Sequence, residues 1–281
     1  MTLGPEDHAR EAGGRSYVYP VVSRRAQGVS VGINLNPNNA CNWRCIYCQV
    51  PGLVRGKPPP IELARMEDEL RGLLREIAQG DWLARHAPEG ARRLNDVAFS
   101  GNGEPTSAPQ FAEAVERARA VLAELELLGR IRLVLITNGS LVHQREVKRG
   151  LRALATANGE VWFKLDSATE EGMRAINDVA PGLERVRTNL RLACELAHTW
   201  IQTCVFARKG APPSAEEQEA LLAFLRAHLR EGPPPRGLLL YGLARPSHQP
   251  EAPELARLPV AWLESFAARI RALGLETRVF P

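Results

Sequence analysis

Asn39-Ala40-Cys41-Asn42-Trp43-Arg44-Cys45-Ile46-Tyr47-Cys48-Gln49 is the stretch on which the reading of this chain turns. Three of the five cysteines fall in it, spaced C-x3-C-x2-C. A structural zinc site takes four protein ligands, so three thiols on one short loop suggest a metal centre with one position left open. Thiolates at this density suit a soft metal or an iron–sulfur cluster. A [4Fe–4S] cube has four irons, so three cysteines would hold three and leave the fourth for a substrate or cofactor. Two other readings stand beside this one: a zinc knuckle completed by a distant His, and three unconnected thiols. As a cluster loop, the stretch is expected to lie outside the core.

Working outward, the residues before the loop alternate with a period of two. Val29, Val31, Ile33 and Leu35 form an apolar face, and Ser30, Gly32, Asn34 and Asn36 a small polar one, which predicts a strand. Upstream, residues 1–14 read as a loose leader, and Tyr17 to Val22 as a short extension packing on the main fold. Beyond the loop, Leu63, Met66, Leu70, Leu73, Leu74 and Ile77 predict an amphipathic helix over Ile61 to Ala78. Strands are expected near Asp96 to Ser100, Ile131 to Ile136, Val161 to Leu165, Ile201 to Phe206, Leu238 to Leu243 and Thr277 to Phe280. Helices are expected near Ala108 to Leu128, Leu141 to Thr156, Pro181 to Ala197, Ala215 to Leu229 and Pro259 to Leu273. Alternating strands and helices imply an α/β fold, with parallel strands and helices outside. About six β/α units are visible, and each distinctive motif falls at the C-terminal end of a strand, where parallel folds place their ligands.

Gly101-Asn102-Gly103-Glu104-Pro105 follows the second of these strands. Its glycines allow a sharp turn and close approach to a ligand, and Glu104 offers a carboxylate able to accept from an ammonium group. A plain glycine-rich β–α turn is the plainer alternative. On Val161-Trp162-Phe163-Lys164-Leu165-Asp166, alternation places Trp162, Lys164 and Asp166 on one face. Lys164 and Asp166 are then within reach of each other or of a ligand, as a polar pair filling the interior or as catalytic groups. Asn138, in Thr137-Asn138-Gly139, is either a ligand contact or a turn residue. Cys204 is expected to pack or to face substrate, Cys194 to pack in its helix. Tyr241 and Arg245 are substrate-side candidates.

Cys41, Cys45, Tyr47, Cys48 and the Gly101–Pro105 turn together resemble the radical S-adenosylmethionine (SAM) superfamily. The resemblance implies a partial (β/α)6 barrel and two cofactors, a [4Fe–4S] cluster on Cys41, Cys45 and Cys48, and SAM chelated to the fourth iron. It implies SAM contacts from Tyr47, from Gly101, Asn102, Gly103 and Glu104 (the last at the amino group), and from Asn138, Asp166 and Ser167. An external one-electron reductant of flavodoxin or ferredoxin type is implied as partner, with a small molecule or an RNA base as substrate. The implied reaction is reductive cleavage of SAM and hydrogen-atom abstraction. A glycyl-radical-enzyme activase is the rival within the superfamily, and a non-catalytic zinc-binding α/β domain the rival outside it. Ser100 to Thr106 and Tyr241 to Pro246 are similar to the group that includes the tRNA wyosine-base synthases. That group carries a second cluster on cysteines upstream of the first, whereas no cysteine precedes Cys41 here.

The bulk numbers bound the rest. With 281 residues, 44% of them hydrophobic and 24% charged, the chain has the composition of a globular protein with a sizeable core. The expected division is an N-terminal extension over 1–27 and a barrel over 28–281. A net charge of +4 permits an anionic partner without requiring one. No apolar run approaches the ~18 residues of a membrane span, and no secretory signal is visible. An odd number of cysteines, three of them clustered, points to a reducing compartment, with the cytoplasm as the expected location.

Overall fold

The computed structural model describes residues 14–23 and 28–281. The expected leader and the boundary at 27/28 lie outside the described residues. The chain divides into two compact units, residues 1–42, 56–136 and 144–160 in the first, and 43–55, 137–143 and 161–281 in the second.

In the first unit, β1 (Val18–Ser23) runs antiparallel to β2 (Gly28–Ile33), with Val18 opposite Ile33. The segment expected to be an extension is therefore a full strand. β2 pairs in parallel with β3 (Leu94–Phe99), and β3 with β4 (Arg132–Thr137). Helices α1 (Leu63–Gln79), α2 (Phe111–Glu124) and α3 (Arg145–Ala155) follow β2, β3 and β4 in turn. In α1 the residues Met66, Leu70, Leu73, Leu74 and Ile77 recur at helical spacing, and all five are buried. The helix stops at Gly80, which is extended.

The start of β1 is fastened to α1 by Glu69. Glu69 accepts hydrogen bonds from the backbone N–H groups of Ser16, Tyr17 and Val18 at 2.8–3.2 Å. Arg65, one turn earlier, pairs with the same carboxylate at 3.0 Å. Replacing Glu69 with Ala strands three partly buried donors that had a charged acceptor. We expect a loss of about 2–3 kcal/mol, read as a lowered denaturation midpoint in urea.

In the second unit the strands lie in the order β5 (Glu160–Lys164), β6 (His198–Cys204), β7 (Gly237–Tyr241), β8 (Thr277–Phe280). β7 is parallel to both β6 and β8. Just past β5, the N–H of Leu165 donates to the carbonyl of Gln202 in β6, at 3.0 Å. Helices α4 (Glu170–Asn177), α5 (Leu183–Leu196), α6 (Ala215–Glu231) and α7 (Val260–Arg271) connect these strands. From β2 to α7 the chain thus runs through six β/α units, as expected from the hydrophobic periods. The fold class is α/β with mostly parallel strands.

Helix α4 falls between Ser167 and Pro181, where the apolar pattern predicts no element. Its signals are local: Thr169 caps the backbone N–H of Gly172, and Glu170 and Glu171 occupy the first turn. The apolar stripe is too short to declare itself, with Met173 its one fully buried large side chain. Among the described residues no helix is long and apolar enough to cross a membrane.

Candidate functional site

In the first unit the Gly101–Glu104 turn packs against the segment that leads into Cys41. Gly101 has φ +148, and a Cβ there would stand 2.4 Å from Asn34 Oδ1. A Cβ on Gly103 would stand 2.0 Å from the carbonyl oxygen of Ala40. Neither position has room for another residue. Asn34 Oδ1 accepts from the backbone N–H of Asn36 at 3.0 Å and of Asn102 at 3.1 Å. Asn102 Nδ2 donates to Asn39 Oδ1 at 2.6 Å, and Asn36 Nδ2 to the Ala40 carbonyl at 2.9 Å. The two asparagines that end the polar face of β2 therefore tie the entry to the cysteine motif onto the turn. Glu104 is buried, 2% exposed, and its Oε1 accepts from Thr106 N–H and Oγ1, which orients the carboxylate.

The chain passes from the first unit to the second inside the motif, between Asn42 and Trp43. Residues 44–50 are held by two other segments of the second unit. At the end of α4, the carbonyls of Asn177 and Ile176 accept from Arg44 N–H and Ile46 N–H at 3.2 and 2.8 Å. From the segment after β7, Ser247 Oγ lies 2.7 Å from the Ile46 carbonyl, and His248 N–H donates to the Cys48 carbonyl at 2.9 Å. The Arg44 guanidinium forms a two-toothed pair with Glu251 and reaches Asp178 at 3.2 Å. Glu251 and Asp178 are both held below the usual carboxylate range, chiefly by these arginine hydrogen bonds (Arg44 to Glu251, Arg55 then Arg44 to Asp178).

The sequence places the loop outside the core, and the structure corrects this. Ile46 and Tyr47 are buried with Cys204, Phe206 and Leu243 in one apolar cluster. The reason is the aliphatic and aromatic character of the two residues between Cys45 and Cys48, which pack on Cys204, Phe206 and Leu243.

Asp166 is the centre of this unit's polar network. Its side chain is fully buried and takes four donors. Oδ1 accepts from the Cys204 N–H at 3.0 Å. Oδ2 accepts from Tyr47 Oη at 2.6 Å, from Asn177 Nδ2 at 2.8 Å and from Lys164 Nζ at 3.2 Å. Lys164 Nζ also contacts Tyr47 Oη, lies over its ring 4.4 Å from the centroid, and stands 3.5 Å from Tyr241 Oη. Burial opposes the Lys164 charge, but the Asp166 carboxylate and then Tyr241 outweigh it and hold the ammonium well above the usual lysine range. Asn177 Nδ2 lies 3.2 Å from Cys45 Sγ as well as 2.8 Å from Asp166. Burial pushes the Cys45 thiol up to about 11, against the pull of the Lys164 ammonium. A bound metal would reverse that, since a coordinating thiol is deprotonated.

The other candidates fall into place by neighbourhood. Ser167 Oγ donates to Glu217 Oε2 at 2.7 Å, and Thr169 Oγ1 meets the other oxygen of the same carboxylate. Asn138 Oδ1 accepts from Ser140 N–H and Oγ at 3.0 and 2.7 Å, holding its own turn. Arg245 Nη1 donates to Gln49 Oε1 at 3.3 Å and so braces the motif. Cys204 is 2% exposed and packs on Ile46 and Tyr47. Together with Asp166, Ile176, Phe206, Glu217 and Leu221 it lines a groove of about 320 Å³. Cys194 stands 3.9 Å from His228 Nε2, away from these residues, with its thiol raised by burial to about 12. Three participants carry no signal in the sequence: Asn177, Glu217 and Glu251. They sit 11 to 207 residues from their partners, and no spacing rule links them.

The family model of the radical SAM superfamily matches residues 35–207, from just before the cysteine motif to just past β6. The chain belongs to the radical SAM superfamily. Enzymes of this family use a [4Fe–4S] cluster and SAM, and they need an electron from outside. The chain is 28% identical over 158 residues to UPF0026 protein MJ1312 of Methanocaldococcus jannaschii, covering 56% of this chain and 42% of that one. It spans 17% to 54% of the length of the curated relatives it matches. Its fold is shared with a radical SAM methyltransferase from Sphaerobacter thermophilus, at TM-score 0.59 and 16% identity, over 90% of this chain and 66% of that one. The structure of TYW1 with a lysine–pyruvate adduct bound is similar at TM-score 0.56 and 14% identity, over 88% and 74%. The residues present fit the family's cofactors. Three thiols supply an incomplete donor set, and Glu104 a buried, oriented carboxylate.

Proposed function

We propose that this radical SAM protein uses one [4Fe–4S] cluster, held by Cys41, Cys45 and Cys48, to cleave SAM reductively and abstract a hydrogen atom from its substrate. The observation that carries this reading is the C-x3-C-x2-C donor set inside the matched region, three ligands for a cluster of four irons. When bound, the cluster and SAM supply one-electron cleavage of a carbon–sulfur bond and the radical chemistry that follows.

The chain's own residues bind and orient. Glu104 would accept from the SAM ammonium, and the backbone of Gly101, Asn102 and Gly103 would help to hold SAM. Tyr47 presents its ring while its hydroxyl is committed to Asp166. Asp166, with four donors already in place, holds Lys164 charged and positioned toward substrate. Ser167, at the end of β5, would contact the SAM ribose, and Asn138, at the end of β4, would be a further SAM contact. A flavodoxin- or ferredoxin-type protein delivers the electron, and the substrate is a small molecule or an RNA base.

Anaerobic reconstitution tests the proposal. We expect about four irons and four sulfides per chain, and release of methionine and 5′-deoxyadenosine on reduction with dithionite. One zinc without inorganic sulfide overturns it.

Glu104→Gln keeps the shape of the side chain and removes the charge that faces the ammonium. A charge-assisted hydrogen bond of about 1.5–3 kcal/mol is lost, so SAM binding weakens roughly 10–100-fold with cluster content unchanged. Equilibrium dialysis against SAM reads it; unchanged affinity returns Glu104 to the role of a turn residue.

A further inference from the structure

Asn177 is buried, 1% exposed, at the last position of α4. Its Nδ2 faces two groups, the Asp166 carboxylate at 2.8 Å and the Cys45 sulfur at 3.2 Å. Asp166 is acceptor-only when ionised and a sulfur ligand to iron is an acceptor too, so the amide nitrogen, rather than its oxygen, must lie between them. An amide nitrogen carries two hydrogens, one for each. The position is over-determined. The Asn177 carbonyl accepts from Arg44 N–H, the preceding carbonyl from Ile46 N–H, and Asp178 turns the chain away in the left-handed region at φ +55. Backbone bonds therefore flank Cys45 on both sides while the side chain reaches its sulfur.

We infer that Asn177 is a positioning residue that donates an N–H···S hydrogen bond to Cys45 and thereby raises the reduction potential of the cluster. The inference rests on the reading of Cys45 as a cluster ligand. One electron enters from the external reductant, and no bond forms or breaks. The added negative charge falls partly on the ligand sulfurs, so a donor aimed at one of them favours the reduced state. Asp166 sets the aim: by taking one amide hydrogen it fixes the plane of the group, and the other hydrogen is left pointing at sulfur. Residues that support a ligand in this way typically change affinity or activity 10–100-fold when removed.

The test uses the full chain, reconstituted anaerobically, as wild type, Asn177→Leu and Asn177→Ala. Circular dichroism checks the fold, iron and sulfide analysis the cluster, an EPR-monitored redox titration its potential, and bathophenanthroline its release of iron. We expect both variants folded, with the ratio of reduced to oxidised cluster at a fixed potential lowered about tenfold. That corresponds to about 59 mV for a one-electron couple. Faster loss of iron to the chelator alongside the lowered potential reports the same contact as affinity. Wild-type potential in both variants overturns the inference, whatever the iron release, as does unfolding of both, which would make Asn177 a packing residue. If wild type itself assembles no [4Fe–4S] cluster, the functional reading fails instead, and the two failures are told apart by the wild-type iron and sulfide content alone.

Discussion

We expect single replacement of Cys41, Cys45 or Cys48 with Ala to abolish the broad brown absorbance of the reconstituted protein and its cleavage of SAM. The effect is the largest expected anywhere in the chain, because a cube that needs three thiolates from the protein is left with two. The fold survives the change. Each of the three cysteines is only partly buried, and the loop is held by its neighbours: Ile46 and Tyr47 in the apolar cluster, Arg44 on Glu251, and the Cys48 carbonyl on His248. Removing one sulfur leaves the Arg44 and Cys48 backbone anchors in place, and at Cys45 costs only its edge of the apolar cluster and the Asn177 contact. Far-ultraviolet circular dichroism should therefore match wild type while iron content falls. Full cleavage activity in any of the three variants would remove that cysteine from the donor set.

The second large effect is on stability. Asp166→Ala strands the Lys164 ammonium and leaves Tyr47 Oη, Asn177 Nδ2 and the Cys204 N–H without their common acceptor. Breaking a buried pair by removing one partner costs about 3–5 kcal/mol. Lys164→Met costs less, because Asp166 keeps three other donors. In the double variant the stranded charge is gone, so it is more stable than Asp166→Ala alone, while SAM cleavage stays impaired. Urea denaturation of the three variants, with a deoxyadenosine assay alongside, measures both halves of the prediction. Single variants as stable as wild type would show that the pair contributes nothing to the interior.

That pair is legible in the amino-acid order of β5 alone. Trp162, Lys164 and Asp166 share a face because side chains in a strand alternate, and Lys164 meets Asp166 at 3.2 Å. The strands and the longer helices are legible for the same reason: each buries one face, and the apolar period records it. Thr277–Phe280 has the bounds its sequence suggests, and α1 buries five of the six residues its spacing selects, with Leu63 half-buried. The turn at Gly101–Glu104 is legible as a close approach, though what it approaches, Asn34 and the Ala40 carbonyl, is not.

What stays hidden in the sequence is set by tertiary neighbours rather than by local pattern. Helix α4 has eight residues and little apolar surface, so its period is weak. Asn177 matters through a sulfur 132 positions away, and Glu217 through a hydroxyl 50 positions away. The burial of Ile46 and Tyr47 depends on Phe206 and Leu243, which only the assembled fold brings to them.

The grip of residues 245–251 on the cysteine loop also says something about time. Arg44, Ile46, Cys48 and Gln49 find their partners about two hundred positions downstream, at Glu251, Ser247, His248 and Arg245. Contacts of such separation form late, because the intervening chain must first be ordered. On a ribosome the motif emerges early, but its hold is incomplete until Glu251 has been made. Maturation is therefore expected to follow translation: an assembly factor would meet these thiols either on a floppy early segment or on a nearly finished chain, and only the second presents them in a fixed arrangement.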